Sequence, residues 1–577
     1  MDNFYITNDL KLRKISGYKS FWNFGTYIRG MYSTNLGGTE YLLVSTGGKL
    51  YYFLKAELED EDNWDSLEPT LIGDIGTGDT SFFTFDKKVY ILSGKYHSWD
   101  GTTLQEVEGY TPLVFINTPP AGGGLIYEEI NMLSSKKHQT FNGDGTSTTF
   151  HLAQNATVAG RSLTSVDKVL VNGVQVATST YTSDLTAGTV TFNTAPSRGM
   201  DNVDIYWTLN DGDRGIIEGM KFGTVFGGDI DSRVFLYGNS SCPNRTYFSG
   251  ITDDGSPSVE YFPSTAQVDI GPSNFSLTDL TRQYDRLLAT TNRPEAYYLT
   301  IGMEQLPVTI ADKQTTRYVP AVSTFPLNEV HGNVAPGQGQ LLNNYPVTLD
   351  RNALIQWKAT NVRDEKNMED ISQRIKQDLN DLDLKAFKTL DFQPENQLWF
   401  GSNNRIYIYN YYNKTFSRIR LLDDFNELSA LGNSVYMAML DGRVVKWGEE
   451  FQTFDGELIR AHWEMNFSDF DAAHLRKTMN RLWVLMQPQS NSSAEIGFVS
   501  NRKESTTKKV IRYKIQVFNE VDFSDFSFSI SNNPQPFRLK MKAKKFTNLK
   551  IVIDNNEDTD CTILQLILKV ESFGESK

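Results

Sequence analysis

One local pattern recurs along this chain and limits its fold more than any other feature. A short apolar strand is followed by a polar or glycine-containing turn, then by a second strand that ends in Tyr, Phe or Trp. It is plainest in ENQLWFGSNNRIYIYNYYNKTFSRI, Glu395 to Ile419, where two apolar and aromatic runs flank Ser-Asn-Asn and an Asn-Lys turn follows. The pattern returns in EYLLVSTGGKLYYF (Glu40 to Phe53), FFTFDKKVYILSGKYHSWDG (Phe82 to Gly101), SRVFLYGNSSCPNRTYFSGI, YDRLLATTNRPEAYYLTIG, NALIQWKAT and NSVYMAMLDGRVVKWGEEFQTFDG. Successive copies lie roughly 40 to 60 residues apart once one insertion is set aside, the interval of a propeller blade. A single four-stranded sheet cannot bury both of its faces, whereas a ring of such sheets packs face to face and exposes only short edges. The expectation is an all-β chain built as a β-propeller of about six to eight blades.

The insertion runs from 137 to 210. FNGDGTSTTFHL, VDKVLVNGVQVA, GTVTFNTAP and NVDIYWTL alternate apolar and polar residues, and Asn172-Gly173 is the dipeptide of a tight type I′ hairpin turn. This predicts a small β-sandwich emerging from a blade loop. In DEKNMEDISQRIKQDLNDLDLKAF, residues Met368, Ile371, Ile375, Leu379 and Leu382 fall at steps of three and four behind an acidic first turn. That spacing predicts an amphipathic helix near 364–386, a connector on a blade or a partner-binding element. From about Glu457 onward, segments such as MNRLWVLMQP, PFRLKMKAKKF, NLKIVIDNN and TILQLILKVESFG each read as one strand. The expected division is 1–136 as the first blades, 137–210 as the inserted sandwich, 211–456 as the remaining blades with the helix, and 457–577 as a β-rich region closing or extending the propeller.

Charge and reactive residues narrow the function. With 56 basic against 70 acidic residues the net charge is −14, and no Lys/Arg cluster is dense enough for wrapping nucleic acid. The acidic run AELEDEDNWDSLE, Ala56 to Glu68, lacks the glycine and ligand spacing of a calcium loop and reads as solvated surface. Two cysteines, Cys242 and Cys561, suit assembly in a reducing cytoplasm and form neither a disulfide framework nor a zinc site. MDNFYITNDLKLRK shows no basic segment leading into an apolar one, and no apolar run approaches the roughly 20 residues of a membrane span. The six histidines, His97, His138, His151, His331, His462 and His474, show no metal-ligand spacing. Gly76 and Gly78 in GDIGTGDTS lack the lysine of a phosphate-binding loop. Asn142 and Asp144 in NGDG read as a turn. The pairs Asp423-Asp424 and Asp229 with Asp231, and the lone SWDG at Ser98, do not make a glycosidase pattern. No catalytic, cofactor-binding or metal-ligating residue is assigned, and an enzyme is not expected.

Several phrases, in order, resemble segments of the tail nozzle (tail tubular or stabilisation) proteins of short-tailed bacteriophages. They are LRKISGYKSF, KVYILSGKYHSWDG, GYTPLVFINTPPAGGGLIYEEINMLSSKKHQTFNGDGTSTTFHL, SRVFLYGN with PNRTYFSGI and VEYFP, LIRAHWEMNFSDFDAAHLRKTMNRLWVLMQP, and FTNLKIVIDNN. The resemblance spans nearly the whole chain. It implies a non-enzymatic virion protein assembled in the host cytoplasm: a homo-oligomeric, six-fold ring below the head-tail adaptor. Such a ring contacts tail fibre or tip proteins and meets DNA only as it passes through the lumen. A propeller that recognises host-surface glycans is the alternative. An acidic wall suits the conduit, because like charge keeps the polyanion from sticking. The basic stretches NRKESTTKK (Asn501 to Lys509) and RLKMKAKKF (Arg538 to Phe546) are then expected to meet acidic protein surface, or else simply to guard strand edges.

Overall fold

The structure, a computed structural model, describes the chain apart from residues 153–162, 228–231, 311–312, 359–366, 489–490, 502–507, 515–533, 535 and 576–577. Two compact units emerge: Thr34–Tyr52 with Thr70–Lys376, and Met1–Ser33 with Phe53–Pro69 and Gln377–Lys577. The fold is all-β, and its recurring element is the four-stranded antiparallel meander of a β-propeller blade.

In the Thr34–Lys376 unit the meanders are Ile28–Leu36 to Thr70–Asp74 (most of it in this unit), Ser81–Phe85 to Leu104–Glu106, Phe222–Phe226 to Gln267–Asp269, Leu277–Gln283 to Lys313–Asn328, and Gln340–Leu342 to Met368–Asp370. Their tight turns place residues in left-handed backbone. Asn343 and Asn344 have φ of 49° and 67°, and Gly47 and Gly48 have 58° and 76°. These are the type I′ values whose twist matches that of flanking strands. Middle strands such as Arg233–Tyr237 are buried along their whole length, because successive sheets stack face to face. Phe83, Tyr90 and Leu92 share a core with Val234, Leu236 and Tyr247. On its other face, Phe235 and Tyr237 meet Leu280, Leu287 and Leu299. Leu288 in turn packs with Ile355 and Trp357. Two-sided burial explains why these strands read as unbroken apolar runs rather than alternating ones.

One hairpin outgrows its sheet. Ala296–Ile310 and Lys313–Asn328 pair with each other along their length, while the neighbouring strand ends its pairing at Leu299. The excess is a two-stranded ribbon, roughly 35 Å long at 3.3 Å per residue.

The inserted segment forms two sheets. One contains Leu113–Thr118, Leu125–Ile126, Lys136–Gly143, Leu163–Val171, Val174–Gln175 and Gly199–Leu209; the other contains Thr149–His151, Tyr181–Asp184 and Thr189–Phe192. Both contribute to one core around Phe141, Phe150, Val190, Ile205 and Trp207. Asn172 and Gly173 have φ of 50° and 76°, as the hairpin dipeptide requires. Leu113–Thr118 runs parallel to Lys136–Gly143, so this sheet takes in strands that precede residue 137.

The helix expected near 364–386 does not form. Residues 364–366 lie outside the described residues, Met368–Asp370 is the outer strand of its sheet, and only Lys376–Leu379 is α-helical. Tertiary contacts override the helical spacing. Buried Asn367 donates from its side chain to the Leu327 carbonyl, and Asp370 accepts from the Ser372 backbone N–H, a turn that stops helix propagation.

In the other unit, Lys388–Phe392, Gln397–Ser402, Arg405–Asn410 and Thr415–Arg420 form one meander. Phe425–Leu431, Ser434–Met439 and Arg443–Gly448 form the next, and its fourth strand is supplied by Gly17–Asn23. The two stack through Trp399, Ile406, Ile408, Leu428, Met437 and Val445. Two further sheets share a second core. Phe4–Ile6 and Leu12–Lys14 join Thr562–Glu575 and Leu475–Met486; Ala461–Glu464, Leu549–Asn555, Asn491–Ser500 and Lys509–Lys514 make the opposing layer. The chain's first two strands therefore belong with its last ones. Lys14, almost fully buried, fastens them by donating to Asn555 Oδ1 and to the carbonyls of Glu557 and Thr559.

Candidate functional site

The residues singled out in the sequence resolve mostly into structural roles. Asp144 accepts from the Ser147 hydroxyl and from the backbone N–H groups of Ser147 and Thr146, which holds its carboxyl well below the usual range; it caps a turn. Asp100 does the same for Thr102 and Thr103. Asp423 pairs with Arg443, which also meets Asp441 at 2.7 Å and Asp455 at 2.8 Å. Asp229 and Asp231 lie outside the described residues. His138, His331 and His462 each bond one carboxylate, of Asp204, Asp350 and Asp554. Burial pushes the thiols of Cys242 and Cys561 up, the latter to about 12. Gly76 packs where a Cβ would stand 2.1 Å from the Ser93 carbonyl oxygen. The acidic run forms two short helices that turn Leu58 and Trp64 inward, with Glu61 paired to Lys446. No group of three His, Cys, Asp or Glu side chains able to hold a metal occurs among the described residues, nor does any helix long and apolar enough to cross a membrane.

The site that does assemble was not singled out by the sequence. At one end of the two stacked meanders of the Gln377–Lys577 segment, a cleft of about 450 Å³ opens between them and the chain's first strands. Its walls include Tyr5, Phe392, Trp399 and Trp447, and its rim carries Glu395 and Glu449. The indoles of Trp399 and Trp447 meet edge to face, 5.2 Å apart at 89°. Trp399 is fixed by donating from Nε1 to Gln397 Oε1 at 2.8 Å. Arg13 pairs with Glu449 at 2.7 Å. Glu395 has no hydrogen-bond or ion-pair partner among the described residues. Its carboxyl is pushed up by partial burial and by the neighbouring Glu449 charge, with Arg13 opposing. Tyr5 is likewise pushed up, mainly by burial. Two carboxylates thus face one guanidinium at the mouth of an aromatic pocket. The cleft can stack a planar or alkyl group and neutralise positive charge.

Fold and cleft together define the class: an all-β protein of propeller-type sheets with an acidic, aromatic recess. Compared with family models and with curated proteins, the sequence matches none. Among solved structures it is similar to the computationally designed Ika8 protein (TM-score 0.34, 10% identity, 75% of this chain and 99% of that one). It is also similar to BamB from Moraxella catarrhalis (TM-score 0.32, 10% identity, 72% and 94%). A third is the exo-β-1,3-galactanase of Phanerochaete chrysosporium (TM-score 0.19, 7% identity, 86% and 97%).

Proposed function

We propose that this chain is a structural, non-enzymatic virion protein: the nozzle of a short phage tail, assembled in the host cytoplasm as a six-fold ring below the head-tail adaptor and passing DNA on ejection. The observation that carries this reading is where the nozzle-like phrases fall. LRKISGYKSF takes in the strand Leu12–Lys14 and Gly17 to Phe21 of Gly17–Asn23, LIRAHWEMNFSDFDAAHLRKTMNRLWVLMQP takes in Ala461–Glu464 and Leu475–Met486, and FTNLKIVIDNN takes in Leu549–Asn555. These are mostly framework strands at the centres and junctions of sheets, and the longer phrases take in the loops between them as well. In this reading the seven four-stranded meanders among the described residues are seven blades. The ribbon and the inserted module are arms that reach other subunits, and the −14 charge keeps the conduit from holding DNA. Negative-stain images and native mass measurement of the purified protein test it. Rings of six copies around a central hole are expected; a monomer under all conditions would overturn the reading. The glycan-recognition alternative has the aromatic cleft in its favour, and saturable binding of neutral oligosaccharides by a monomer would bring it forward.

A further inference from the structure

The recess has a negative surplus, and elsewhere on the same unit the chain has a positive one. Arg538, Lys540, Lys542, Lys544 and Lys545 are all exposed, and none forms an ion pair with the described residues. Lys540 and Lys542 flank Met541, which is buried in the C-terminal core and anchors a segment outside regular strand. Their ammonium groups are therefore presented outward from a fixed backbone. In a chain of net charge −14, a basic strip with no ion pair among the described residues is the exception that calls for a partner.

From this we infer that the cleft bounded by Trp399, Trp447, Glu395 and Glu449 receives a lysine side chain from the 538–545 strip of a second copy of this chain. This rests on the ring-forming reading above. A lysine suits both parts of the recess. Its alkyl stem packs on aromatic walls, and its ammonium group gains from an indole face and from the Glu395 carboxylate, which has no ion-pair partner among the described residues. A neutral sugar could stack on the same rings but would leave the Glu395 charge uncompensated beside Glu449. Cleft and strip are different surfaces of one chain, so the contact is heterologous, the kind that generates rings when its rotation closes.

The test uses the full-length protein and an acetylated, amidated peptide spanning Pro536 to Thr547. Titration should change tryptophan emission saturably. The affinity should fall about tenfold with Glu395→Gln/Glu449→Gln, and likewise when the four lysines of the peptide are replaced by glutamine. Both glutamates are exposed at the rim, and thermal melts of the variant confirm that it is folded. Sedimentation of wild type, the Glu double variant and a Lys540→Gln/Lys542→Gln/Lys544→Gln/Lys545→Gln variant supplies the second arm: only wild type should form rings. If the peptide leaves the emission unchanged and both variants assemble like wild type, the contact is wrong and the ring reading stands. If wild type stays monomeric while the peptide binds in a Glu-dependent way, the recognition stands and the ring reading falls. Peptide binding that is indifferent to both glutamates, or displaced by neutral sugars, overturns the lysine assignment.

Discussion

At the scale of single residues, the strongest buried commitment is Asp279. It sits in the Thr34–Lys376 unit, accepts from the Tyr237 hydroxyl at 3.0 Å and the Thr281 hydroxyl at 3.2 Å, and is also bonded by the Gly339 backbone. Burial nonetheless pushes its carboxyl up to about 6. An acid whose folded value lies above its unfolded one holds more protons when folded, so stability falls as pH rises between the two values. Measured against Asp279→Asn, wild type should lose melting temperature from about pH 4 to about pH 6 and show a constant difference above that. A wild-type melting temperature that rises relative to Asp279→Asn over this range would contradict the assignment. Gly339 is the counterpart: a Cβ there would stand 1.6 Å from Asp279 Oδ2. Gly339→Ala should cost about 1–3 kcal/mol in urea unfolding, the usual range for overpacking. Arg443 serves another part of the molecule by binding three aspartates. Arg443→Met should destabilise by about 2 kcal/mol, and added salt should restore part of the loss as it screens Asp423, Asp441 and Asp455 from one another.

At the scale of elements, what the sequence made legible is what local physics decides. Hairpins announced themselves through Asn172-Gly173 and Gly47-Gly48. Blade strands did so through apolar runs such as RVFLY that two neighbouring sheets bury from both sides. The failed helix shows the limit. Met368, Ile371, Leu379 and Leu382 keep helical spacing, yet Met368 packs beside Trp357, while Leu379, in the short helical stretch, and Leu382, in the bend after it, are buried further along. Spacing counts apolar residues without knowing which neighbour each will meet. The cleft was illegible for a related reason. ENQLW and WGEE each pair a tryptophan with glutamate, but their halves lie about fifty residues apart and meet only when two meanders stack. The inserted module offers a test at this scale. A fragment from Pro112 to Asp211 keeps Leu113–Thr118 and the buried Lys137–Asp211 ion pair. It should melt cooperatively by circular dichroism, and a fragment beginning at Lys137 should melt lower, with Val114 missing from the core. Equal melting temperatures would show that the upstream strand contributes nothing.

At the scale of the whole molecule, net charge and the local lysine strip would pull the proposed ring in opposite directions. Bulk acidity makes copies repel one another at low salt, whereas the proposed ion-paired contact would weaken at high salt. Ring formation by wild type should therefore pass through a maximum at intermediate ionic strength in sedimentation, and a steady rise or fall would discard the balance. The pairing of early strands with late ones has a consequence in time. Gly17–Asn23 leaves the ribosome several hundred residues before its partner Arg443–Gly448, and Leu12–Lys14 several hundred before the strand Thr562–Glu575 that takes it up. At about 5–20 residues per second the wait is roughly twenty seconds to two minutes. Until then the early segment holds apolar side chains with nowhere to go, a natural client for chaperones. A chain that stops before Arg443 leaves Gly17–Asn23 without the strand it pairs with, so the early segment stays open until that later strand is made.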